Sequence, residues 1–137
     1  MAAIDRLTDS GFLVALLDRR DRHHAWATEQ AYLVAPPWQT CEAVLTESFF
    51  LLGRRGTPAL LSLLGRGAVQ VPFRFAQERE AVLALMRKYA DVPMSLADAC
   101  IVRMTEVYAD PIVLTTDDDF LIYRRHGRRV VPCAMPE

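Results

Sequence analysis

Four acidic residues, Asp9, Glu47, Asp98 and Asp117, stand where a charge needs a reason. Asp98 lies in Met94-Ser95-Leu96-Ala97-Asp98-Ala99-Cys100-Ile101-Val102, among small and apolar neighbours. Ser95 fits an N-cap and Asp98 then falls at N3, where its carboxylate can reach back to free N–H groups at the positive end of the helix dipole. Capping is the plain role for one such aspartate. Asp9 stands between a short strand and an apolar helix, Glu47 lies inside an apolar helix, and Asp117 opens the run Asp117-Asp118-Asp119 after a buried strand. Charges are rarely buried in such places unless paired or bound to metal. Gathered at about 4 Å without a lysine partner, these carboxylates repel each other by several kcal/mol. Such a cluster persists only if it is protonated or neutralised by cations. Hard oxygen ligands suit Mg²⁺ or Mn²⁺. Two such ions about 3.5–4 Å apart can activate a water, grip a phosphate and stabilise both oxygens of an in-line displacement. The substrate class implied is a phosphodiester or another phosphoryl compound.

The elements that must position these acids alternate between strand and helix. Ala2 to Thr8 reads as a short, weak strand, leading through Asp9-Ser10-Gly11 into the apolar helix Phe12 to Leu17. A carboxylate at that turn lies at the carboxyl edge of a sheet, where open α/β folds bind ligands. Asp5 is a rival for the role, because the strand is so weak. Asp18 to Arg22 is a charged turn before a helix through Ala25, Trp26 and Ala31. His23 and His24 are adjacent and give no i, i+4 metal pair, so they read as solvated or capping residues. Tyr32 to Pro37 reads as a strand closed by two prolines. Thr40 then caps a helix, Cys41 to Leu52, ended by Gly53 and Gly56, with Val44, Leu45, Phe49 and Leu52 as its stripe and Glu47 at or beside that face. Thr57-Pro58 opens a short helix through Leu64. Ala68 to Val71 alternates as a strand, and Ala76 to Tyr89 is an amphipathic helix whose stripe suits a core or dimer surface. The Asp98 helix runs to about Tyr108, and Asp110-Pro111 breaks the chain. Ile112 to Thr115 reads as a buried strand delivering Thr116 and Asp117 at its carboxyl end. Leu121 to Tyr123 continues briefly, Arg124 to Arg129 forms a basic loop, and Val130-Val131 is a last strand. The alternation argues for a single α/β domain over residues 1–137 with a central, mainly parallel sheet.

Composition narrows the partners. The chain has 137 residues, 52% hydrophobic and 24% charged, with net charge −1, so there is no global basic field to attract nucleic acid. A polyanion must be held by a local patch or through metal ions. Lys88 is the one lysine; the remaining cations are arginines. Cys41, Cys100 and Cys133 are odd in number and lie in apolar surroundings, which fits buried free thiols in a reducing compartment. No targeting pattern or membrane span is expected, so the expectation is a cytoplasmic protein.

Other phosphate and nucleophile chemistries lack their residues. There is no G-x-x-x-x-G-K-[ST] loop and no G-x-S-x-G elbow, and Gly65-Arg66-Gly67 stands alone. A phosphoacceptor receiver needs a late lysine, whereas Lys88 lies in mid-helix. An aspartyl-nucleophile phosphatase needs an acid two residues after the first, and Asp9 is followed by Ser10 and Gly11.

Asp9-Ser10-Gly11-Phe12-Leu13-Val14-Ala15-Leu16-Leu17-Asp18 followed by Asp21-Arg22-His23-His24 resembles the opening of PIN domains, particularly the small VapC-like toxins. Val44-Leu45-Thr46-Glu47, Met94-Ser95-Leu96-Ala97-Asp98-Ala99 and Leu114-Thr115-Thr116-Asp117-Asp118-Asp119-Phe120 resemble the family's other acidic motifs in the same order. The resemblance implies a three-layer α/β/α sandwich and a metal-dependent endoribonuclease. It implies Asp9, Glu47, Asp98 and Asp117 as catalytic metal ligands, with Asp119 joining them and Ser10 and Thr116 in support. It also implies a homodimer and a cognate antitoxin whose C-terminal segment fills the acidic groove.

On that reading RNA, single-stranded or locally structured, threads over the acids and is held by arginines drawn from Arg19, Arg20, Arg54, Arg55, Arg124, Arg125, Arg128 and Arg129. A different reading is a silent PIN-like module that binds RNA or a protein partner and keeps the acids for fold. A third keeps the metal chemistry and turns it on DNA or small phosphate esters.

Overall fold

The computed structural model describes residues 4–137, so Ala2 and Ala3 of the expected first strand lie outside the described residues. Its strands are short and its helices supply most of the core. In chain order they are β1 (Asp5–Thr8), α1 (Ser10–Leu17), α2 (His24–Leu33), β2 (Trp38–Gln39), α3 (Glu42–Gly65), β3 (Val69–Gln70), α4 (Phe75–Lys88), α5 (Leu96–Val107) and β4 (Pro111–Leu114). A 3₁₀ helix (Asp118–Leu121), β5 (Arg124–Arg125), β6 (Arg129–Val130) and β7 (Cys133–Ala134) complete the chain.

Five strands form one parallel sheet in the order β3-β2-β1-β4-β7, with helices packed around it as a three-layer α/β/α sandwich. Burial on both faces explains why β4 reads as apolar rather than alternating: Val113 and Leu114 are fully buried, as is Leu7 of β1, whose polar Asp5 and Arg6 leave that strand weak in the sequence. Helix α1 buries Phe12, Leu13 and Ala15 and packs on α2 and α3, while α5 buries a continuous run from Ala97 to Val102 and packs on α4.

The chain builds outward from β1 to β3, then returns to place β4 on the other flank of β1. Strand order thus reverses between β1 and β4, and the crevice beyond their carboxyl ends is where open parallel sheets hold ligands. The register makes this specific. Thr8 pairs with Leu114, and the Asp9 N–H donates to the Leu114 carbonyl at 3.0 Å, so Asp9 and Thr115 leave the sheet side by side.

Several elements differ from expectation. Tyr32 to Pro37 is not a strand: α2 runs to Leu33, and pairing begins at Trp38, beyond the two prolines, which have no N–H for a ladder. The Trp38 N–H instead meets the Ala68 carbonyl at 2.8 Å. Thr40 does not cap α3, because its buried hydroxyl donates to the Thr8 carbonyl at 2.8 Å; Cys41 occupies the cap position without a side-chain bond. Within α3 two helical segments meet at Gly53 (φ 63°, ψ −163°), a conformation favoured in glycine, so the first segment ends where the sequence places its end and only the start of the second differs, directly after Gly53. Thr57 opens no new helix there; its hydroxyl bonds back to the Gly53 carbonyl at 2.7 Å.

The basic loop is the antiparallel hairpin β5–β6, turned through His126 and Gly127 at positive φ. Val131 therefore leaves that hairpin, and β7 rather than Val130-Val131 closes the main sheet beside β4. Two-residue strands carry too little periodicity to announce themselves, and Pro132 hides this one. His24 Nδ1 lies 2.8 Å from the Ala15 carbonyl and His23 Nε2 accepts from Arg22 Nε, so both histidines are engaged away from the acids. The three cysteines are free. No helix among the described residues is long and apolar enough to cross a membrane.

Candidate metal centre

Three of the four singled-out acids converge at the strand-order reversal. Asp9, Asp98 and Asp117 each offer a carboxylate oxygen, and these oxygens lie within 4.8 Å of one another. Asp9 follows β1, Asp117 follows β4, and Asp98 enters from the first turn of α5. Asp5, the rival first acid, lies at the opposite end of β1, where its carboxylate meets the Asp110 N–H.

Each carboxylate is held by its own local structure. Asp9 is the N-cap of α1, with Oδ1 accepting from the Ser10 N–H at 2.8 Å. Asp117 caps the 3₁₀ helix through the Asp119 N–H at 2.9 Å. Asp98 was the residue expected to cap, and its carboxylate does not. Ser95 Oγ accepts the Asp98 N–H at 3.0 Å, and Asp98 Oδ2 accepts the Tyr123 hydroxyl at 2.7 Å. The serine already satisfies the helix end, which leaves the aspartate side chain for the cavity.

Glu47 and Asp119 line the same cavity, of about 410 Å³, without joining the three-oxygen cluster. Half-buried Glu47 is tied to α1 by the Ser10 hydroxyl at 2.7 Å, so Ser10 links two acids, one through its N–H and one through its side chain. Thr116 also lines the cavity, and Gly11 is required beneath it, since a Cβ there would collide with Thr116 Oγ1.

Two contributors escaped the sequence reading. Thr115 Oγ1 donates to Asp9 Oδ2 at 3.0 Å and accepts from the Asp117 N–H at 3.0 Å, bridging two of the acids. A hydroxyl residue ending an apolar strand two positions before an acid is the signal that could have found it. Tyr123 is fully buried and read as the tail of a short element. It lies just beyond the 3₁₀ helix that carries Phe120 and packs edge-on against that ring, but its partner Asp98 is distant in sequence.

Clustering and burial alter the acids. Burial first, then the charge of Asp98, pushes the Asp9 carboxyl from its ordinary 3.8 up to about 7, against the bonds from Ser10 and Thr115. Burial likewise pushes Asp98 up to about 6; the Tyr123 hydroxyl opposes this and Asp117 adds to it. Lys88, the one lysine, donates to the Gly127 carbonyl instead of neutralising the cluster. Among the described residues no cation pairs with these acids.

An all-oxygen, anionic donor set without nitrogen or sulfur fits a hard divalent cation such as Mg²⁺ or Mn²⁺. Asp9, Asp98 and Asp117 are the residues placed to hold one. Its charge would offset the like-charge cost that the raised carboxyls record.

The arginine pool divides. Arg20 pairs with Asp18, Arg124 donates to the Leu121, Ile122 and Tyr123 carbonyls, and Arg125 donates to the Thr105 and Tyr108 carbonyls at the end of α5. Arg19, Arg54, Arg55, Arg128 and Arg129 are exposed and make no side-chain bond among the described residues.

A family model described as PIN domain matches residues 6–125. No curated protein matches the chain.

Proposed function

The chain belongs to the PIN domain family, and from that membership we propose that it is a divalent-metal-dependent endoribonuclease acting as the toxin of a toxin–antitoxin pair. PIN domains are generally nucleases that use divalent metals, which gives the coarser statement of nucleic-acid hydrolysis. The observation that carries the finer reading is the convergence of Asp9, Asp98 and Asp117 within 4.8 Å beyond β1 and β4.

In this reading Asp9, Asp98 and Asp117 bind Mg²⁺ or Mn²⁺, and Asp119 extends the acidic rim. A bound ion supplies polarisation of water and positive charge for a phosphodiester displacement. Glu47 stands outside the three-oxygen cluster with one oxygen fixed by Ser10 Oγ. Its second oxygen serves as the acceptor for the proton that an attacking water gives up. Thr115 and Ser10 hold Asp9 so that it need not reorient during the reaction.

RNA is the substrate that the family resemblance favours, with unbonded arginines to hold its backbone. Exposed Phe50 and Leu51 on α3 support a homodimer, and the acidic cavity suits a basic segment of an antitoxin. A reducing, cytoplasmic setting accords with three free thiols.

The deciding experiment incubates purified protein with lightly structured RNA, and in parallel with matched DNA, in Mn²⁺, Mg²⁺ or excess chelator, beside Asp98→Asn. Metal-dependent RNA cutting abolished by the substitution is the expected result. Cutting that survives chelator sinks the mechanism, and rapid DNA cutting with intact RNA sinks the substrate assignment. An inert wild type, freed of copurifying antitoxin, moves the RNA- or protein-binding module ahead.

A further inference from the structure

We infer that Tyr123 is a positioning residue of the metal centre, its hydroxyl holding Asp98 in the orientation that keeps a carboxylate oxygen within the cluster. The inference rests on the metal-dependent reading above. It begins with the ring. Tyr123 is fully buried and is clamped edge-on by Phe120, centroids 5.3 Å apart, and by Tyr89, 5.2 Å apart. A ring held on two sides fixes its hydroxyl in space, so the more adaptable group of the pair, the Asp98 side chain, must come to it.

The segment around the ring is equally constrained. Immediately after Tyr123, the Arg124 N–H donates to the Tyr89 hydroxyl at 2.9 Å. The Arg125 guanidinium fastens the hairpin to the carbonyl end of α5, and the His126 N–H meets Glu106 Oε2 at 2.7 Å. The segment that supplies the hydroxyl to the first turn of α5 is thus bolted to the last turn of the same helix.

Asp98 needs such a hold. It is surrounded by carboxylates, and repulsion from Asp9 and Asp117 drives it away from the position a cation requires. Its helix end is satisfied by Ser95, so no capping bond restrains the side chain. The Tyr123 hydroxyl donates to this carboxylate at the 2.7 Å expected for a charge-assisted O–H···O⁻ bond, and its effect on the carboxyl exceeds that of the neighbouring Ser95 hydroxyl. Partners of metal ligands in this position govern affinity by about 10- to 100-fold.

The test is direct Mn²⁺ binding, followed by calorimetry and by the electron paramagnetic resonance signal of free Mn²⁺, without RNA. Tyr123→Phe keeps the packed ring and removes the hydroxyl. It should weaken Mn²⁺ binding by about 10-fold or more, while Tyr32→Phe, at an exposed tyrosine of α2 outside the acidic cavity, should change it less than about twofold. Circular dichroism establishes that each variant is folded at the binding temperature. A double-mutant cycle adds the second readout: with Asp98→Asn in place, Tyr123→Phe should cause no further loss, whereas a merely structural tyrosine costs the same in both backgrounds. Wild-type-like Mn²⁺ affinity in folded Tyr123→Phe, or additive losses in the cycle, overturns the inference and leaves the nuclease reading intact. A wild type that binds no Mn²⁺ and cuts RNA in chelator overturns both.

Discussion

The Thr115 hydroxyl donates to Asp9 Oδ2 at 3.0 Å and lies fully buried between the ends of the two central strands. Thr115 Oγ1 in turn accepts the Asp117 N–H. One strand-end threonine thereby fixes the spacing of two acids that arrive from opposite ends of the chain. Thr115→Val keeps the shape and leaves the Asp117 N–H without this acceptor. It should cost about 1–3 kcal/mol of stability and weaken Mn²⁺ binding about 10- to 100-fold. Thr116→Val, at a side chain that makes no hydrogen bond, should do less on both counts, measured by urea unfolding and calorimetry. Equal losses at the two positions would contradict this division of roles.

The raised carboxyls make metal-free stability depend on pH in an unusual direction. The unfolded chain releases these protons near 3.8, whereas the native state holds them to about 6 at Asp98 and about 7 at Asp9. Between those limits the native state binds more protons than the unfolded one. Stability of the metal-free protein should therefore fall as pH rises from about 4 to about 7, by on the order of a few kcal/mol, and level off above. Saturating Mn²⁺ should stabilise more at pH 8 than at pH 5, because the ligands must be ionised to bind it. Urea unfolding at both pH values, with chelator and with Mn²⁺, measures this. A metal-free protein that gains stability from pH 5 to pH 8 would refute the assignment.

Removing one of the crowded charges should separate stability from function. Asp9→Asn takes away a buried ionisable group and keeps its shape. At pH 8 in chelator it should be at least as stable as wild type by urea unfolding, while Mn²⁺ binding falls by more than the ~100-fold typical of an outer partner's loss. Loss of both together would mean that Asp9 is held for the fold, through its cap of α1.

What was legible in the chain follows from the range of the forces involved. The order of the acids, the Ser95 cap and the apolar strand before Thr116 are local patterns, and each lies where it was read. The roles of the carboxylates were less legible, because a cap and a metal ligand look alike until a competing donor is located. Asp98 has the sequence of a cap and is not one, while Asp9 and Asp117 cap and converge. Tyr123 and Thr115 act through partners 25 and 106 residues away, which no periodicity encodes. Strand β7 is set by pairing with β4, and its two residues carry no pattern of their own.

The close approach of α1 to the Thr116 loop makes Gly11 a sensitive point. Gly11→Ala would ordinarily favour a helix by about 1 kcal/mol. Here the added methyl meets Thr116 Oγ1 and must displace it, and Asp117 follows in the chain. The variant should lose Mn²⁺ affinity, and should lose stability in place of the usual gain. Gly65→Ala has open space around it and serves as the comparison. A Gly11→Ala protein with unchanged Mn²⁺ binding would show that the loop can move without disturbing the cluster.

Arginines of one composition class should divide into two functional kinds. A cavity of about 290 Å³ at the far end of α1 is lined by Arg19, Arg20 and Arg55 together with Asp18, and Arg20 is spent on that aspartate. Arg19 and Arg55 are exposed and retain their guanidinium donors for a phosphate backbone. Eight residues of α1 put this cavity about 12 Å from the acids, at 1.5 Å rise per residue. Each of Arg19→Ala and Arg55→Ala should weaken RNA binding and lower the salt dependence of log K by about 0.7, the change for one single-strand phosphate contact. Stability should stay within about 0.5 kcal/mol of wild type. Arg125→Ala should behave oppositely, losing about 1–3 kcal/mol because the Thr105 and Tyr108 carbonyls lose their donor, with no change in salt slope. Salt titrations of binding to a labelled RNA by catalytically dead Asp98→Asn, paired with urea unfolding, distinguish the two kinds. If Arg125→Ala alone lowers the slope, the backbone runs over the hairpin instead of along α1.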